Sequence, residues 1–388
     1  MAKTIEEINQ KIRAGTAVIL TAEEITAMVR EQGVKETARR VDVVTTGTFG
    51  PMCSSGAFLN FGHSTPGIRM NRVWLNDVPA YAGIAAVDAY IGATEASETM
   101  GMQYGGAHVI EDLVSGKDVE LRAESYGTDC YPRRKIHTTI NRDNINQAYM
   151  FNPRNAYQNY NAATNSTDRI LYTYMGTLLP KFGNVTYSTA GELSPLLNDP
   201  EYRTTGIGTR VFLGGTQGYV AWEGTQHNPD QDRLDNGVPV SAAGTLALIG
   251  DLKRMDSRFV RAAVYEKYGV SLFVGVGIPI PLVDEDMVAK TAVSNRDIVT
   301  QVVDKSGREN LGIQVTYEQL RSGRIDIRGK WVATAPLSSL RMAREIAGQL
   351  KSWIEKGDFL LTEPVAPLPR HAAAPKRLEI RGDFHEDR

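Results

Sequence analysis

The chain of 388 residues is 42% hydrophobic and 23% charged, ordinary values for a folded protein, and at roughly 150 residues per domain it has room for one large domain or a few smaller ones. Its 43 basic and 45 acidic side chains leave a formal net charge of -2, which offers no broad attraction to nucleic acid or anionic lipid, so neither is expected as a partner. Two cysteines supply neither a disulfide framework nor an all-thiolate iron–sulfur ligand set; both are expected as thiols in a reducing compartment, with electrons coming from another molecule.

From Met1 to Arg13 charged and polar residues surround isolated Ile5 and Ile8, with no apolar stretch of a secretion signal. No run approaches the ~20 apolar residues of a bilayer span. A cytoplasmic protein is expected. Thr21-Ala22-Glu23-Glu24 has the form of a capping box and predicts a helix to about Arg40, with Ile25, Met28 and Val29 on one face. The apolar run Val41 to Thr46 predicts a strand entering the loop Gly47 to Gly56, so Cys53 is expected just past a strand exit, where ligands gather in open sheets. Val73-Trp74-Leu75 reads as a strand, and the small residues from Ala80 to Ala96 as a helix packed closely on a sheet.

The middle, 127–230, is rich in Asn, Tyr, Thr and Gly and reads as short strands and ordered loops. Further on, Ala242 to Ile249 is apolar, Ser257 to Tyr268 reads as a helix, and Val270 to Ile278 as a strand closed by Pro279 and Pro281. Helical spacing recurs from about Leu337 to Lys356, and the Pro-rich, charged end beyond Glu363 reads as a flexible tail. The expected fold is therefore mixed α/β: one large domain, 1–363, with a loop-rich middle subdomain, followed by a tail, 364–388.

A reactive cysteine must be a thiolate, so its neighbours matter. Cys130 is followed by Arg133, Arg134, Lys135 and His137, cations that favour a thiolate and suit a substrate carboxylate, although Asp129 opposes them. Cys53 is followed by Ser54, Ser55 and Gly56, whose backbone N–H groups and hydroxyls can hold an anion by oriented dipoles. For each cysteine, a packed thiol in a turn is the competing explanation. His63 is a candidate acid/base beside Cys53 and Arg69 a candidate anion binder, while His227 has less support. The Gly-rich stretch 206–218 lacks the spacing of a phosphate or dinucleotide loop and reads as turns between strands. No metal-ligand spacing stands out, and no metal or resident cofactor is expected.

The stretches Thr45 to Gly56, Asn60-Phe61-Gly62-His63, Tyr126 to Pro132, Gly206 to Arg210 and Gly224 to His227 together resemble the homocysteine biosynthesis family, the L-aspartate semialdehyde sulfurtransferases of methanogens and other anaerobes. The likeness runs to about residue 360. It implies conversion of L-aspartate semialdehyde and a sulfide-derived sulfur to L-homocysteine through a cysteine persulfide, with a separate ferredoxin-like iron–sulfur protein as electron donor. Some members carry C-terminal cystathionine-beta-synthase-type domains, which this chain is expected to lack.

On this resemblance Cys130, with its basic flank, is expected to hold the persulfide, and Cys53 to resolve it or to hold the thiohemiacetal of the substrate. His63 would move protons to the carbonyl oxygen, and Arg133 or Arg134 would bind the carboxylate in two-pronged fashion. Two other readings stand beside it: a cysteine-dependent acyl transferase or lyase that needs no reductant, and a noncatalytic sulfur carrier. Homo-oligomerisation is compatible with the sequence, which does not decide it.

Overall fold

A computed structural model describes residues 2–84, 86–307 and 309–371, together with 376, 378, 379 and 381. Two reciprocal threonine–glutamate caps start the chain. Thr4 with Glu7 opens the helix Ile5–Arg13, whose Ile5, Ile8 and Ile12 are buried at helical spacing. Thr21 with Glu24 opens Ala22–Gln32 as expected, but the helix stops at Gly33, whose φ of +80° no helix tolerates, and a second helix occupies Val34–Arg40.

Most of the strands form two sheets. The larger has nine strands, all antiparallel, in the order Val260–Tyr265, Gly269–Gly277, Arg210–Leu213, Thr216–Glu223, Leu246–Asp251, Gln147–Asn155, Gly56–Asn60, Asp88–Gly92, with Thr48–Pro51 added against Gly269–Gly277. A six-stranded mixed sheet runs Glu309–Thr316, Val299–Asp304, Ala162–Thr164, Asn184–Tyr187, Lys330–Pro336, Arg324–Ile327. A smaller sheet of Lys135–Ile140, Val119–Glu124, Arg72–Leu75 and Val78–Ala80 lies to one side. The strands of the middle, 127–230, are shared among these three sheets, except for the hairpin of Leu171–Thr173 and Gly176–Leu178 and the short Gly206–Ile207, which pair outside them. Gly214 and Gly215, with φ of 59° and 94°, close a two-residue hairpin between Arg210–Leu213 and Thr216–Glu223, so the Gly-rich stretch does hold a tight turn there.

Two expected helices are strands instead. Within 80–96 the chain forms Val78–Ala80 and Asp88–Gly92, where Ala89 and Ile91 are buried and their neighbours less so, a period of two that small-residue composition had masked; Ala85 lies outside the described residues. Within 257–268, Val260–Tyr265 pairs with Gly269–Gly277 across a short turn, and this pairing overrides local helical spacing. The segment 364–371, read as the start of a flexible tail, is packed: Ala366–Pro367 pairs with Gly206–Ile207, and Leu368 is buried. Most of the remaining tail lies outside the described residues. No helix among the described residues is long and apolar enough to cross a membrane.

The late helix, Leu340–Glu355, is capped by Ser339 and buries Met342, Ala343, Ile346, Ala347, Leu350 and Ile354. Its seat is built of glycines. A methyl group on Gly47 would lie 2.2 Å from the Ala343 carbonyl oxygen, and one on Gly275 would lie 2.9 Å from Ile346 Cδ1. Arg344 and Lys351, two turns apart, pair with Glu23 and Glu24 at the start of Ala22–Gln32. Gly47→Ala should therefore push the helix off its seat and cost about 2 kcal/mol, read as a fall in the urea midpoint.

Asp42 anchors the N-terminus. Its carboxylate, 1% exposed, meets Lys3 Nζ at 3.0 Å and Lys11 Nζ at 2.7 Å and accepts the Val18 N–H at 3.1 Å. Burial pushes its pKa up, but the hydrogen bonds of Lys11, Val18 and Lys3 outweigh burial and hold it below the ordinary value. The stabilisation is thus present above the unfolded-state value of about 4 and is lost as pH falls through the lower folded value. Asp42→Asn should cost about 3 kcal/mol at pH 7, and the gap from wild type should close in denaturant melts taken at progressively lower pH.

Candidate active site

Cys53 stands on a four-residue crossing, 52–55, that links two strands distant in the sheet order. Before it, Thr48–Pro51 pairs with Gly269–Gly277, and the Met52 N–H donates to Leu272 O at 2.7 Å. After it, Gly56–Asn60 pairs with Gln147–Asn155 and Asp88–Gly92. Asn152, fully buried, ties the crossing down: its Nδ2 donates to Ser55 Oγ at 2.8 Å, while its Oδ1 lies 3.2 Å from Ser54 Oγ and accepts the Arg154 N–H at 3.1 Å. Ser54 Oγ is also 3.3 Å from Arg154 O. The thiol and Arg154 are thereby held on one hydrogen-bonded frame.

The half-buried Cys53 lines a cavity of about 810 Å³ between the nine-stranded and six-stranded sheets. Its volume falls in the range of roughly 300–1,000 Å³ typical of small-molecule sites. The walls come from the Cys53 crossing, Arg154, Tyr157 and Tyr160, the hairpin residues Tyr172 and Tyr174, Tyr265, Tyr268 and Ser271, and Lys305 at the six-stranded side. Two cations and no carboxylate are among the described residues that line it.

Four of the phenols, Tyr157, Tyr160, Tyr265 and Tyr268, are pushed above the ordinary tyrosine value and stay neutral at physiological pH. Burial pushes Tyr157 up to about 12, with the Arg154 charge opposing and a negative Cys53 sulfur adding to the rise. Burial likewise raises Tyr265 and Tyr268, again with a contribution from Cys53, and raises Tyr160, with the neighbouring Tyr174 adding to that rise. Tyr160 OH donates to Tyr174 OH at 3.2 Å, and Lys305 Nζ donates to the same oxygen at 2.8 Å. The Arg154 charge acts on Tyr157, yet its Nε is buried without a partner, as is the Oγ of Ser271. Neutral hydroxyls and a guanidinium around a thiol form a setting suited to a thiolate or a developing oxyanion.

The other expected residues gather elsewhere. Cys130 is exposed in a turn where Thr128 and Tyr131 exchange backbone hydrogen bonds, and His63, also exposed, stacks on Tyr131 with ring centroids 6.1 Å apart. Arg133 donates to Pro66 O at 3.0 Å and Thr65 O at 2.8 Å; Arg134 and Arg69 are exposed. This cluster follows Asn60, at one end of Gly56–Asn60, and Cys53 precedes Gly56 at the other; five residues of strand span about 13 Å. None of these residues lines the Cys53 cavity among the described residues. His227 is structural. Its Nδ1 accepts the Thr245 N–H at 3.1 Å and its Nε2 lies 3.1 Å from Pro369 O, so the ring bridges Thr245 and the C-terminal segment.

The family described as "homocysteine biosynthesis enzyme, sulfur-incorporation" matches residues 17–361. The chain belongs to that family. A protein of Methanosarcina acetivorans named L-aspartate semialdehyde sulfurtransferase is 53% identical over 96% of this chain and 73% of its own length. One of the same name from Methanocaldococcus jannaschii is 52% identical over 97% of this chain and 75% of its own. An uncharacterized protein of Methanothermobacter thermautotrophicus is 32% identical over 84% of this chain and 72% of its own. No solved structure matches.

In this homocysteine biosynthesis enzyme, sequence reasoning missed Arg154, Lys305, Ser271 and the tyrosines as neighbours of Cys53. The Tyr-rich composition of 157–174 was the available signal, but nothing local joins it to residue 53. Asn152→Ala should leave Ser55 without its donor, lower stability by about 2 kcal/mol in denaturant melts, and speed iodoacetamide alkylation of Cys53 while that of Cys130 stays constant.

Proposed function

We propose that this enzyme converts L-aspartate semialdehyde and sulfide-derived sulfur to L-homocysteine through a persulfide on Cys53, with electrons from a separate ferredoxin-type iron–sulfur protein. The observation that carries this reading is the Cys53 thiol inside a cavity lined by Arg154, Lys305 and neutral phenols, with no carboxylate among the described lining residues. Relatives more than half identical over most of this chain carry the name of the activity.

In this reading the Cys53 thiolate takes a sulfane sulfur from a polysulfide-type donor, which leaves one sulfur shorter; the terminal sulfur of the persulfide then adds to the aldehyde carbon, and tyrosine hydroxyls protonate the oxygen. Two electrons then cleave the S–S bond and return the Cys53 thiolate. Loss of water leaves a thioaldehyde, and two more electrons with two protons give the thiol of homocysteine. The cavity holds no second thiol among the described residues, so both electron pairs arrive from outside. The roles first expected of the cysteines are reversed. Exposed Cys130, with His63, Arg133, Arg134 and Arg69 around its loop, is assigned to contact with the sulfur or electron donor.

Mass spectrometry of polysulfide-treated protein, with turnover assayed beside it, tests the assignment. A persulfide that persists in Cys130→Ala and is lost, with all homocysteine formation, in Cys53→Ala is the expected result; the opposite pattern returns the persulfide to Cys130. Full turnover without a low-potential donor would favour a simple cysteine transferase or lyase, and no turnover with an authentic donor would favour a carrier.

A further inference from the structure

We propose that Arg154 is the specificity-determining residue of the cavity, binding the carboxylate of the substrate and so presenting its aldehyde to Cys53. This deepens the proposed reaction and rests on it for the identity of the aldehyde. Arg154 has no ion-pair partner among the described residues, and its Nε is buried without a hydrogen bond. An arginine left in that state costs free energy unless a ligand completes it, and a carboxylate is the group its planar fork fits.

Three features support a built subsite. The described lining offers no acidic group to compete for the guanidinium. Ser271, 1% exposed, also lines the cavity with an unpartnered Oγ, so a second polar atom awaits the same ligand. The frame of Ser54, Ser55 and Asn152 fixes the backbone of Arg154 to the crossing that bears Cys53, so the spacing between anion subsite and thiol is set by hydrogen bonds rather than by flexible side chains. Lys305 is otherwise engaged, donating to Tyr174 OH and lying 4.9 Å from that ring. The preference therefore falls on compact aldehydes bearing a carboxylate, and an aldehyde of the same length without one loses the anchor.

The test compares alkylation of Cys53 by iodoacetate and by iodoacetamide in the full chain, resolved by mass spectrometry, for wild type, Arg154→Gln and Arg154→Lys. The ratio of the two rates should fall about tenfold in Arg154→Gln and be partly restored in Arg154→Lys. The KM for L-aspartate semialdehyde should rise at least tenfold in Arg154→Gln, more than kcat falls, and be partly restored in Arg154→Lys. A ratio unaltered in Arg154→Gln, including one in which both rates rise together as for a loosened fold, overturns the proposal. If wild type forms no homocysteine, the reaction proposed above fails, while the alkylation ratio still judges Arg154 as a carboxylate site.

Discussion

The approach of the Leu340–Glu355 helix to a glycine seat is the contact on which the site depends. Gly47 lies just before the strand Thr48–Pro51, and Gly275 and Gly277 belong to the strand that pairs with it. Because these positions carry no side chain, the helix backbone comes within reach of the sheet, and Ile346 and Leu350 fill the space that side chains would take. The strand that delivers Cys53 is thus clamped from one side by the sheet and from the other by the helix. A thiol at the end of such a strand has little freedom to move, which is what a nucleophile held against a small substrate requires.

The same rigidity extends through hydrogen bonds. Asn152 spends its amide on Ser54, Ser55 and the backbone of Arg154, a buried network in which every bond constrains the Cys53 crossing. The second large sheet then closes the space, bringing Lys305 to face a ring of tyrosines whose burial keeps them protonated. The result is a cavity of positive character, made from segments as far apart in the chain as residues 53 and 305. Two cysteines in one chain therefore sit in different chemical worlds: one in a wall of this cavity, the other on an exposed loop with basic neighbours.

Several elements could be read directly. The Thr21–Glu24 cap, the strand Val43–Thr45, the strand Gly269–Gly277 and the late amphipathic helix each carry a strong local signal and lie within a few residues of their expected bounds, whereas Thr48–Pro51 is a strand inside a stretch expected as loop. The misreadings have a common cause. At 80–96 and 257–268 the local pattern was compatible with a helix, and pairing made both segments extended, across short turns for Val78–Ala80 and Val260–Tyr265 and with Gly56–Asn60 for Asp88–Gly92. The basic flank of Cys130 is only partly legible in the same sense, because sequence proximity of Arg133 says nothing of the carbonyl groups of Thr65 and Pro66 that engage its guanidinium.

By itself the sequence determined the family, the presence of two thiols, the strand Val43–Thr45, the capped helix that begins at Ala22 and the late amphipathic helix, all of which rest on short-range patterns of residue type. Only the tertiary structure decided which cysteine faces a cavity, which arginine stands there without an acid, and which histidine is a clamp. Burial and charge pairing depend on contacts between segments distant in the chain, and those contacts exist only once the two large sheets have come together.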